Sequence, residues 1–183
     1  MNYIDPRFLI LTVLLLLTLP LHWVLAAFFA AAFHELCHLL AMKISKVPFR
    51  GVKVKLLGAQ IEAAPERIRE EFFITAAGPL GSLLLCSLFR WIPRTAICAG
   101  AQLAFNLLPI YPLDGGRLLH LLLEKYCPRH TQQIERWIKL AVLTGTAAAA
   151  FCLSVFCSLG IFPLLLYASV IIRALPRKIP CKP

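Results

Sequence analysis

Apolar residues dominate this chain in long runs, and short polar stretches separate them. A helix that crosses a bilayer needs about 20 mostly apolar residues. The runs at 8–19, 21–42, 72–92, 95–111, 137–159 and 161–175 therefore predict about six transmembrane helices. The first run is short and ends at Pro20. A cleaved signal peptide is the alternative there, but the basic start is weak and a second apolar run follows at once. Gly78-Pro79 breaks the third span.

The polar stretch 43–71 carries a different period. Val52, Val54 and Leu56 alternate with Lys53 and Lys55, the two-residue repeat of a half-buried strand. Gly58 permits a turn and 59–62 can return, which predicts a small β-hairpin between spans two and three. Two uses of such a hairpin stay open. It can lie on the membrane surface with its lysines on lipid headgroups, or it can offer a sheet edge that takes an extended peptide as a further strand, with Val52 and Val54 as substrate-binding positions.

Composition turns the pattern into a class. Of 183 residues, 60% are hydrophobic and only 15% charged, against about 25% charged in a soluble domain. A soluble domain of this size could not hide so much apolar surface. The expected fold is an all-α polytopic membrane protein, a single domain over 1–183. Its core is 21–123, and 124–183 holds two further spans and a short basic tail. The net charge of +10 would suggest nucleic acid in a soluble protein, but the basic residues are scattered between apolar spans, so no nucleic-acid partner is expected. With a cytoplasmic N-terminus, all of the 19 Lys and Arg except Arg90 and Arg94 fall on the cytoplasmic side. Both termini are then cytoplasmic, and the bilayer is a partner in its own right. The seven cysteines contain no C-x-x-C pair and read as small hydrophobes.

The candidate chemistry starts at His34-Glu35-Leu36-Cys37-His38. Positions i and i+4 share one helix face about 6 Å apart, so both imidazoles can reach one Zn²⁺. Glu35 is turned about 100° away and can take a proton from a metal-activated water without ligating the metal. A charged group at bilayer depth costs at least about 2.5 kcal/mol, so this cluster needs a reason to be there. A polar helix-packing cluster is the plain alternative. A catalytic zinc usually takes three protein ligands. His22 lies about 18 Å along the helix from His34. Asp114, beside Gly115-Gly116 and just after Pro109 and Pro112, is the best third candidate; an ordinary Pro/Gly loop in which Asp114 caps a helix stays open beside it. His120 and His130 remain open too.

His34–His38, followed by Asn106 and Pro112-Leu113-Asp114-Gly115-Gly116, resembles the site-2 protease family of intramembrane zinc metalloproteases. The resemblance spans about 21–123. It implies one Zn²⁺ per chain held by His34, His38 and Asp114, with Glu35 as general base. Asn106 would stand near the scissile peptide or oxyanion, an interhelical hydrogen bond being its alternative, and Pro112 would line the substrate path. The compact layout, with no CBS or PDZ domain expected, resembles the group that contains a sporulation protease acting on a sigma-factor precursor. A bacterial cell membrane or forespore-type membrane would be the location. Where that family often carries Asn after Gly-Pro in the third span, this chain has Ser82, which puts that position's role in question. The implied partners are a membrane-embedded or membrane-associated protein substrate and an inhibitory membrane protein. An inactive homologue that binds partners, and an ion or metal transporter using the same ionisable residues, are the competing functions.

Overall fold

The computed structural model describes residues 3–4, 19–55, 58–63, 67–156, 167–168 and 170–171. The expected spans at 8–19 and 161–175 lie largely outside the described residues. The chain divides into two compact units, Met1–Leu107 and Leu108–Pro183.

In the first unit, helix α1 runs Leu21–Ile44. At 1.5 Å per residue its 24 residues reach about 36 Å, more than the hydrocarbon thickness of about 30 Å. Among the described residues it is the one helix long and apolar enough to cross a membrane. Ser45, Lys46 and Val47 end it. Lys46 adopts φ 54°, its N–H bonds the Lys43 carbonyl at 3.2 Å, and the Val47 N–H bonds the Met42 carbonyl at 3.0 Å. Val47 then packs on Met42, so a lysine fills the left-handed position that glycine usually takes in this helix stop.

Helix α2 covers Ile68–Ser87 and helix α3 covers Pro93–Asn106. Pro93 opens α3 at a position where its missing N–H costs nothing. The expected break at Gly78-Pro79 does not occur, because α2 passes through both residues without interruption. Proline there deprives only the Thr75 carbonyl of its helical donor, and the remaining bonds carry the helix on.

Helices α1, α2 and α3 pack on one another. Ala41 and Met42 meet Ile74, while Ala30 meets Leu85 and Ala99, so α1 and α2 run antiparallel. The buried stripe of α1 is Ala26, Ala30, His34, His38, Ala41 and Met42, spaced by three or four. That of α2 includes Ile74, Thr75, Gly78, Gly81 and Ser82. Small residues on both stripes let the backbones approach, as helices in lipid do.

Strands β1 (Tyr3–Ile4), β2 (Phe49–Lys55) and β3 (Gly58–Ala63) form a sheet in that order. β2 and β3 are antiparallel, pairing Val52 with Ile61 and Val54 with Ala59. β1 runs parallel to β2 at Lys53 and Val54. β3 lies beside α1.

In the second unit, helix α4 covers Asp114–Tyr126 and helix α5 covers Thr131–Phe156, and the two pack together. A turn precedes α4. The Leu113 N–H bonds the Ile110 carbonyl at 2.9 Å around a cis Tyr111–Pro112 peptide. Gly116 lies so close over this turn that a Cβ would overlap the Ile110–Tyr111 peptide. Glycine is therefore what allows the turn to fold back on the first turn of α4.

Candidate metal centre

His34 and His38 stand one turn apart on α1 with 1% and 7% of their surfaces exposed. Each is held from α2 through its Nδ1 atom. His38 Nδ1–H donates to the Ile74 carbonyl at 2.7 Å. A carbonyl only accepts, so this nitrogen carries a proton, which leaves Nε2 as the acceptor when the ring is neutral. His34 Nδ1 bonds Ser82 Oγ at 2.8 Å. Asn106, the last residue of α3, brings its Nδ2 to 3.2 Å from His34 Nε2. An amide N–H donates, so His34 Nε2 is an acceptor as well.

The two Nε2 atoms face each other at 3.2 Å, with the rings nearly perpendicular at 81°. Two imidazole nitrogens on one tetrahedral zinc, each about 2.05 Å from it, stand about 3.3 Å apart. The observed separation fits that edge. Gly78 makes room for it, because a methyl group there would come 2.7 Å from His34 Nε2 and closer still to His38 Nε2. The Ile74 carbonyl and the Ser82 hydroxyl, bonded to the Nδ1 atoms, are outer partners of the kind that ligating histidines usually have.

Asp114 is the first residue of α4 and is half-buried. Leu113 before it is extended, and the turn at 110–113 together with Gly116 sets where the helix starts. Within the first unit the two imidazoles of α1 are the metal-ligating pair, and in the second unit Asp114 offers its carboxylate at the first turn of α4.

The other expected residues fall as follows. Glu35 is half-buried on α1, between the two histidines in sequence. Cys37 packs against Gly81 of α2, away from the ligand positions. Val52 and Val54 lie in β2. That strand sits between β1 and β3, so its edge is occupied at Lys53 and Val54, and the outer edge of the sheet on this side is β3. Pro112 belongs to the turn before α4. His120 is engaged within the second unit by Glu135 at 2.6 Å and by Glu124 at 3.9 Å.

Three contributors were not picked out from the sequence as parts of the metal centre: the Ile74 carbonyl, Gly78 and the Ser82 hydroxyl. Their one sequence signal is the run of small and hydroxylated residues, Thr75 to Ser82, inside an apolar span. Thr75 Oγ1 is also buried in this stretch, with no hydrogen-bond partner among the described residues. A groove of about 380 Å³ at the start of α1, lined by His22, Phe29, Trp91 and Arg94, includes none of the candidate residues.

Among the described residues, the chain thus shows a helical fold, with one helix long and apolar enough to cross a membrane, around a buried histidine pair. Among solved structures the chain is similar to the Site-2 Protease from Methanocaldococcus jannaschii, with a TM-score of 0.66. The match covers 96% of this chain and 89% of that chain at 21% sequence identity, which makes it a likeness of fold. No family model and no curated protein sequence matches the chain.

Proposed function

We propose that this chain is an intramembrane zinc endopeptidase. It hydrolyses a peptide bond of a membrane-embedded or membrane-associated protein near the cytoplasmic face. The observation that carries this is the pair of buried Nε2 atoms brought to 3.2 Å of each other, with both Nδ1 atoms hydrogen-bonded to α2. The site-2 protease fold and the order of the two motifs along the chain support it.

His34, His38 and Asp114 hold the metal. When bound, zinc supplies Lewis acidity toward the peptide carbonyl and makes water acidic enough to react near neutral pH. Glu35 takes the proton of the attacking water and returns it to the leaving amine. The Asn106 amide, positioned by the end of α3, donates to the oxygen on which charge develops. A peptide bond within a helix is shielded, so the substrate must be extended locally. Among the described residues β3 is an edge of the sheet, beside α1, and that is where the sheet can add such a strand. Around this core the protein is multi-pass with both termini in the cytoplasm. A sigma-factor precursor of the sporulation type is the substrate the sequence resemblance favours, with an inhibitory membrane protein as regulator.

The test is zinc stoichiometry of the detergent-purified full chain, beside Asp114→Ala. About one zinc per chain, lost in the variant, is the expected result. No zinc in either protein after purification without chelator overturns the assignment and favours an inactive or ion-relay protein.

A further inference from the structure

The two histidines are held in different ways, and only one of them depends on a side chain. Ile74, Gly78 and Ser82 recur every four residues along α2, so they form one stripe. α1 and α2 are antiparallel, and the stripe therefore meets the histidine pair in reverse order. Ile74 takes His38, Gly78 leaves room for both rings, and Ser82 takes His34. The Ile74 carbonyl belongs to the backbone and can only accept. Ser82 is a side chain, fully buried, and its hydroxyl can either accept or donate.

The direction of the Ser82 bond follows from the other side of the ring. Asn106 Nδ2 donates to His34 Nε2, so the ring proton of His34 sits on Nδ1 and Ser82 Oγ accepts it. We infer that Ser82 is a positioning residue for His34. It accepts the Nδ1 proton that the Asn106 bond assigns to that side of the ring, and together with Asn106 it holds the tautomer that presents Nε2 toward His38. This gives a role to the serine that stands where a family asparagine was expected. The inference rests on the metal centre proposed above, but the tautomer itself exists without metal.

Ser82→Ala removes one buried oxygen and keeps the small volume, while Ser82→Thr retains the hydroxyl. The full chain in detergent micelles, labelled with ¹⁵N-histidine and free of metal, reports the tautomer of each ring by long-range ¹H–¹⁵N correlation. His34→Gln and His38→Gln assign the signals. In the unmodified protein both rings are expected to carry the proton on Nδ1. In Ser82→Ala the buried Nδ1–H of His34 loses its acceptor, so His34 is expected to shift measurably toward the other tautomer against the remaining Asn106 bond, while His38, bonded to a backbone carbonyl, keeps its preference. Zinc affinity, measured by chelator competition, should fall about 10- to 100-fold in Ser82→Ala and recover in Ser82→Thr.

An unchanged His34 tautomer in Ser82→Ala overturns the inference. So does loss of the tautomer preference at both rings, which would make Ser82 a packing residue between the helices. If the unmodified protein binds no zinc, the proposed peptidase function fails, and the metal-free tautomer of His34 still decides the role of Ser82.

Discussion

At the scale of single residues, the proposed site divides into groups that would hold the metal and a group that would react. His34 and His38 are buried and fastened through Nδ1, which fixes the direction of each ring. Glu35 is half-buried, next in sequence to His34, and bears the only carboxylate within the five-residue motif. Glu35→Gln keeps the size of the side chain and removes its basicity. It should retain about one zinc per chain and lower the cleavage rate by about 10²- to 10⁴-fold, the usual contribution of a general base. Cleavage of a reconstituted membrane substrate at the unmodified rate would show that the proton goes elsewhere. The i, i+4 histidine pair and the intervening acid were legible in the sequence, because helical periodicity brings local neighbours onto one face. The groups that orient them were not. Ile74 and Ser82 stand 36 and 48 residues from their histidines, a distance along the chain that no local pattern spans.

At the scale of elements, small residues decide what can come together. Gly78 and Gly81 in α2, against His34, His38 and Cys37 in α1, set a close approach that larger side chains would prevent. Pro79 looked like a break, yet α2 continues through it, since one lost bond in a packed helix is tolerable. The β2–β3 pair depends on tertiary context as well. Which strand lies at the edge of the sheet is set by β1, some 50 residues upstream, and it is β3 that faces outward beside α1. If an extended substrate adds to this edge, replacing 49–63 by a short flexible linker should raise KM or abolish cleavage while one zinc per chain remains bound. Full activity of that variant in the same reconstituted assay would exclude the sheet as a substrate clamp.

At the scale of the whole molecule, the distribution of polarity is inverted relative to a water-soluble protein. Leu25 and Leu80 are each 60% exposed, and Phe29, Leu36, Leu40 and Leu84 are exposed with them, while His34, Thr75 and Ser82 are buried. Each such apolar side chain left in water forgoes about 1.5–3 kcal/mol, so a face with this many is solvated by lipid. The proposed orientation then follows from the basic residues, which cluster on one side of the expected spans. Alkaline phosphatase fused after Trp91 should be active in a bacterial host, and the same reporter fused after Arg67 or Arg129 should be inactive. The reverse pattern would invert the topology and move the metal centre toward the opposite face.

What the sequence determined by itself was whatever depends on composition and short-range order. Mean hydropathy of +0.77 and long apolar runs set the solvent as a membrane, and the spacing of His34, Glu35 and His38 set the kind of chemistry. What only the tertiary structure decided was the state of those residues. Which imidazole nitrogen carries the proton, and which way its lone pair points, depends on hydrogen-bond partners that another helix supplies. That α2 stays whole across Pro79, and that β2 lies inside its sheet rather than at the edge, are settled by packing in the same way. Local pattern fixes the face on which a side chain lies, and only the packed neighbour fixes what that side chain does there.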